Sequence, residues 1–145
     1  MADTFELEIV TPERSIVKEA AVRAQVPGKD GYLGILPEHA PLLSELGIGT
    51  LTYVTPRGTT YSVAIHGGYV EVLDNQVRVL ADIAESGHEI DIDRATRALQ
   101  RAKELLERTS TADAGDASSP ANALAAAMRA EARLDAARKA KAGEE

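Results

Sequence analysis

The 145-residue sequence predicts a small β-sandwich or barrel followed by two helices. Short runs of alternating apolar and polar residues, separated by turn signals, fill the chain from Phe5 to Ala81. After Glu85-Ser86-Gly87 the apolar period changes from two to about 3.5. The string TSTADAGDASS at 109–119 then has the composition of a flexible, solvated linker and splits the helical part in two. Strands are therefore expected over 1–86 and helices over 87–145, at about 91–108 and 120–141.

Phe5, Leu7 and Ile9 alternate with Glu6 and Glu8, the pattern of a half-buried strand with a solvated acidic face. Thr11-Pro12-Glu13-Arg14 reads as a turn. Residues 16–26 give one or two further strands, with Val22, Ala24 and Val26 inward and Arg23 and Gln25 outward. Residues 27–49 form the connection around which the chain is organised. They are too rich in Gly and Pro for a helix and too apolar for a free loop. Pro37 and Pro41 remove amide donors and exclude a central strand there. The next strand is placed at 49–55, with Pro56-Arg57-Gly58 as its turn. Tyr61, Val63 and Ile65 alternate inward, Gly67-Gly68 breaks the run, and Asp74-Asn75 makes a tight hairpin into residues 77–81.

In the first helix Ile92, Ala95, Leu99, Ala102 and Leu106 recur at spacings of three and four, while Arg97, Arg101, Glu104 and Arg108 face away, and Asp91 caps the start. Ser119-Pro120 opens the second helix. Its apolar stripe is Leu124, Ala127, Met128, Leu134 and Ala137. Alanine favours helix strongly but buries only about 0.8 kcal/mol per methyl, against about 1.5–3 kcal/mol for a leucine. This helix is therefore expected to dock marginally and to be able to leave.

Composition excludes several functions. A net charge of −7 argues against a nucleic-acid surface. Without cysteine there is no disulfide, thiolate metal site or thiol nucleophile. His39, His66 and His88 lie on three separate segments, and Ser44, Ser62 and Ser86 sit in no nucleophile-elbow sequence. No GKS/T follows Gly28, Gly31 and Gly34, so no nucleotide-hydrolysing loop is present. The N-terminus has no basic region before an apolar run, and no stretch approaches the roughly 20 apolar residues that span a bilayer, so membrane association is expected only through a partner.

Two strings carry a family resemblance: GYLGILPEHAPLL at 31–43 and GGYVEVLDNQVRVLAD at 67–82. In that order they resemble the epsilon subunit of F-type ATP synthases, the small non-catalytic subunit of the rotating central stalk. The resemblance implies a β-sandwich of about ten short strands followed by an antiparallel two-helix hairpin. It implies that the sandwich packs on the gamma subunit and the c-ring, with ring contacts at Tyr32, Leu33, Glu38, His39 and Leu42. Tyr32 is a departure, since some relatives carry a carboxylate there. The hairpin is implied to act as a brake on ATP hydrolysis, extending into the alpha/beta catalytic hexamer and meeting it with Arg129, Arg133, Arg138 and Lys139. The implied location is peripheral, on the cytoplasmic face of the bacterial inner membrane, with the equivalent face of a thylakoid or organelle membrane as the alternative.

Ile90-Asp91-Ile92-Asp93-Arg94-Ala95 is similar to the I/L-D-x-x-R-A motif by which some family members bind ATP. By that resemblance Asp91 and Arg94, with Arg129 and Arg133 one helical turn apart on the second helix, form a regulatory ATP site. No cofactor is required otherwise. The plainer alternative is an Asp-capped helix with an arginine on its exposed side. A second functional reading is a free-standing nucleotide-sensing β-sandwich module. The apolar connection at 27–49 speaks against it, because such a surface needs covering.

Overall fold

A computed structural model describes residues 2–109 and 120–142. The strands are β1 (Phe5–Val10), β2 (Ser15–Ala21), β3 (Arg23–Gly28), β4 (Gly31–Ile35), β5 (Leu42–Val54), β6 (Thr60–Leu73), β7 (Gln76–Ala81) and β8 (Ala84–Ser86). A 3-10 turn, Gly87–Glu89, leads into the helices α1 (Ile92–Thr109) and α2 (Pro120–Ala142). The linker expected at 109–119 lies outside the described residues, apart from Thr109 as the end of α1.

The strands follow the order β2-β1-β7-β6-β5-β3-β4, with β8 also on β6. One long antiparallel hairpin, β5–β6, is the spine. Its pairing steps from Leu46↔Gly68 to Ile48↔His66, leaving Gly47 and Gly67 unpaired at a bend. Gly67 and Gly68 have φ of 78° and 116°, and a Cβ on Gly68 would collide with the Leu80 carbonyl. Before the bend in β5, and after it in β6, the hairpin runs beside β7, which pairs in parallel with β1. At its other end it pairs with β3 and β8. Each long strand thus serves both layers, and eight continuous strands make about ten strand segments. Gly67-Gly68 bends β6 rather than ending it.

The core between the layers is aliphatic. Leu7, Ile9, Val26, Ile35, Leu51, Val63, Ile65, Val70, Val72, Val77 and Val79 are fully buried. Tyr53 joins them, donating its hydroxyl to Glu19 Oε1 at 2.6 Å. Burial, and then the Glu19 carboxylate, push that phenol's pKa up. Asp74 and Asn75 take φ of 50° and 62°, both central residues left-handed, as the tight turn between β6 and β7 requires.

Two parts of the 27–49 connection are strands. Residues 31–35 form β4, an edge strand on β3, and β5 begins at Leu42 rather than at Gly49. Both prolines lie between these strands, where no ladder donor is needed.

The helices stack on the sandwich in sequence reverse. α2 lies against β5 and β6, and α1 lies on α2. α2 is therefore covered on two sides. Ala123, Ala127, Ala130, Leu134 and Ala137 follow a three–four spacing, and Ala132, Ala136 and Ala140 form a second stripe; all are buried. Ala132 and Ala136 meet Ala64 of β6, with Ile48 and Ile90 packed around them. Leu124 and Met128, placed in the apolar stripe by periodicity, are exposed instead. The helix packs through alanines on two faces, so its larger side chains do not mark the packed face. The same contact buries Ser62, Ala64 and His66, the face of β6 that alternation assigns to solvent.

Gly87 lies under α2, where a Cβ would overlap the Ala136 carbonyl. Gly87→Val is expected to lift the helix and destabilise it by about 1–3 kcal/mol, as overpacking does. Amide exchange should rise across 120–142 while β5 and β6 stay protected.

Candidate functional site

The first candidate surface is the end of the sandwich near the β6–β7 turn. Glu38, with φ of 63°, donates its backbone N–H to Asn75 Oδ1 at 2.7 Å, and Asn75 Nδ2 donates to the Thr4 carbonyl at 2.8 Å. One asparagine thus ties the 36–41 segment to the β6–β7 turn and the start of β1. His39 Nδ1 lies 2.7 Å from the Ala40 carbonyl oxygen. Leu33 and Leu42 are half-buried against the core, so neither presents its full side chain outward. The exposed apolar groups here are Leu36 (62%) and Leu43 (71%), neighbours that sequence reasoning did not single out. Alternation holds their signal: Leu43 faces away from Leu42 in one strand.

Tyr32 belongs elsewhere. Its hydroxyl accepts the Thr50 N–H at 3.1 Å, beside the groove between β5 and α2 where Met128, Glu131 and Ala132 lie. It is therefore not brought together with Glu38 and His39.

The second candidate is a cleft of about 400 Å³ between α1, α2 and the β8 segment, lined by Glu85, Glu89, Asp91, Arg94, Ala98, Arg101 and Arg133 among others. Asp91 caps α1: its Oδ1 accepts the Arg94 N–H at 3.1 Å and its carbonyl accepts the Ala95 N–H. Arg133 Nε donates to Glu85 Oε1 at 2.7 Å, joining α2 to β8. Glu89 pairs with Arg14 of the β1–β2 turn at 3.0 Å.

Of the four residues implied for nucleotide, the structure brings Asp91, Arg94 and Arg133 together. Arg129 is not on the cleft wall; it is half-buried and lies near enough to His66 to act on that ring. Arg101, which periodicity turned away, lines the cleft, because Arg94, Ala98 and Arg101 stand one above the other at i, i+4 and i+7. Glu85 was missed, and only its tertiary partner marks it. Arg138 is exposed, and Lys139 pairs with Asp135 at 3.1 Å.

Among the described residues, no group of three or more His, Asp or Glu is placed to hold a metal. No described helix is long and apolar enough to cross a membrane. Fold and site together define a β-sandwich that carries a docked helical hairpin, with a cleft at their junction lined by three arginines and three carboxylates.

Known proteins give that class its family. Residues 4–87 match the family model for the beta-sandwich domain of the ATP synthase delta/epsilon chain. The chain is 55% identical over 135 residues to the ATP synthase epsilon chain of Solibacter usitatus, covering 92% of this chain and 96% of that one. It is 45% identical over 138 residues to that of Desulfitobacterium hafniense, covering 95% and 99%. A chain of the Euglena gracilis mitochondrial ATP synthase shares the fold, with a TM-score of 0.68 at 20% identity, over 100% of this chain and 84% of that one. The chain belongs to the family of ATP synthase epsilon chains, and is thereby a non-catalytic subunit of the central stalk.

The Glu85–Arg133 pair is about one-third exposed on either side, at 35% and 27%. A double-mutant cycle with Glu85→Gln and Arg133→Gln should therefore return a coupling of about 1 kcal/mol that shrinks in high salt. A coupling indistinguishable from zero would mean the two side chains do not hold each other in solution.

Proposed function

We propose that this chain both couples and restrains an ion-driven rotor. Its sandwich joins the gamma subunit to the c-ring, so that ion flow turns the stalk and drives ATP synthesis. The exposed apolar residues at the sandwich end, Leu36 and Leu43, support a partner there, since burying them in an interface is favourable. Glu38 and His39 lie beside them on the Asn75-tethered turn. In this reading the protein is peripheral, carried on the cytoplasmic face of a bacterial inner membrane by the complex.

The hairpin is the brake. Docked, it permits turnover; extended along gamma, it carries Arg129, Arg133, Arg138 and Lys139 to acidic surface on the alpha/beta hexamer and blocks hydrolysis. The observation that carries this reading is the cleft, whose walls come from α1, α2 and β8. A polyanion within it would touch the hairpin and the sandwich at once. ATP fits as that ligand: Arg94 offers a phosphate contact beside the N-terminus of α1, Arg101 offers another from the middle of that helix, and Arg133 exchanges Glu85 for a phosphate. Because a ligand stabilises only the state that binds it better, ATP there favours the docked hairpin.

The test uses a catalytic core depleted of its epsilon chain, with the full chain or a chain ending after Ser86. Both are expected to bind and only the full chain to inhibit ATP hydrolysis. Binding without inhibition by either would remove the brake. Failure of both to bind would favour a free-standing nucleotide sensor.

For the nucleotide, Arg94→Ala should weaken ATP binding to the isolated full chain at least tenfold by calorimetry, whereas Arg138→Ala should leave it unchanged. Equal effects of the two would remove the cleft as the site.

A further inference from the structure

We propose that His66 makes the docking of the hairpin proton-sensitive: when its ring takes up a proton, α2 is driven off β6. The proposal rests on the reading that the hairpin leaves the sandwich as a unit, and goes beyond it by naming what sets the balance.

The placement of buried polar atoms is what points there. Among the described residues the buried side-chain N and O atoms without a hydrogen-bond partner are Ser62 Oγ and the two ring nitrogens of His66. All three lie on the one face of β6 that carries Ala64, where Ala132 and Ala136 of α2 press on the strand. His66 is 6% exposed. Its cross-strand neighbour is Ile48, which offers the ring no polar partner. The charged groups that act on the ring are Arg133 and Arg129 on α2 and Glu85 on β8. Glu85 is already engaged by Arg133 at 2.7 Å.

A neutral imidazole can stay in this position at the loss of its water contacts, but an imidazolium is both desolvated and set against two guanidinium groups. Undocking of α2 removes all three difficulties together: water reaches both ring nitrogens, and Arg129 and Arg133 depart with the helix. In the docked chain, burial first and then Arg133 lower the ring's pKa from 6.5 to about 4. The sign follows from which state binds the proton. The undocked ring, near its ordinary value, takes up a proton where the docked ring does not. Docking is therefore favoured above pH 6.5 and weakens as the pH falls from 6.5 toward 4. Between pH 7.0 and 5.5, above the ordinary range of carboxylates, the docked-to-undocked ratio should fall roughly eightfold. In the proposed brake, acidification would thus release the hairpin toward the hexamer.

The test is amide exchange on the full chain at pH 7.0 and 5.5, expressed as protection relative to the unfolded rate, in wild type, His66→Leu and His66→Gln. The expected result is a roughly eightfold loss of protection in 120–142 for the wild type with β1 and β7 unchanged, and little change in either variant. His66→Leu should also protect α2 more than wild type at both pH values. A ring titration by NMR in the wild-type chain gives a readout independent of any variant, and His66 should titrate well below 6.5. If α2 opens separately from the sandwich but with the same pH response in all three proteins, the proposal is overturned while the mobile hairpin stands. If α2 exchanges only together with the strands, the mobile hairpin fails and the proposal with it. A His66 ring that titrates near 6.5 in the docked chain also overturns it.

Discussion

The close approach of α2 to β6 at Ala64, Ala132 and Ala136, and to the 3-10 turn at Gly87, is the contact on which the C-terminal part depends. Small side chains on both partners allow it, and they also limit its strength. Each methyl buried there contributes about 0.8 kcal/mol, where a leucine would contribute about 1.5–3. Leu134 is the largest apolar side chain that α2 buries. Thr50 Oγ1 adds a hydrogen bond to the Ala132 carbonyl at 3.3 Å, and Arg133 reaches Glu85. Against these stand the unpartnered polar atoms of Ser62 and His66. The docked helix is thus held by many weak terms and opposed by a few polar ones, a balance that suits the proposed movement of the hairpin.

The charged cleft is a product of that docking rather than of any one segment. Asp91 and Arg94 come from the start of α1, Arg101 from its middle, Arg133 from α2, and Glu85 from β8. In the proposed undocking of α2, Arg133 goes with it and the site comes apart. In the proposed brake, a nucleotide in the cleft and an acidic surface on the hexamer compete for the same arginine, so the two states exclude each other through one side chain. Glu85 holds that arginine in place when no anion does.

The sandwich follows from different physics. Bent at Gly47 and Gly67-Gly68, the β5–β6 hairpin closes two layers over aliphatic side chains, and Asn75 pins the 36–41 turn to one end. That end presents Leu36 and Leu43 outward on a well-tethered frame. In the proposed role, a sandwich with an outward apolar end and a hairpin docked through small side chains suits a part that transmits torque while one element changes position.

The sequence alone determined what local chemistry determines. Alternation in β1, β3 and β7, the left-handed pair Asp74-Asn75, the Asp91 cap and the change of period after Gly87 all report on neighbours within a few residues, so each was legible. The two long strings at 31–43 and 67–82 carried the family for the same reason, being continuous. What periodicity misjudged lies where two distant segments meet. Ser62 and His66 read as a solvated face because nothing near them in the chain reveals that α2 covers it. Leu124 and Met128 read as packed because size marks a buried face only when the helix packs on one side, and this helix packs on two. Arg101 and Glu85 joined the cleft, and Arg129 left it, once the helices stacked on the sandwich. Only the tertiary structure decided these, because burial on both faces of a strand is set by contact between elements and not by the period of either.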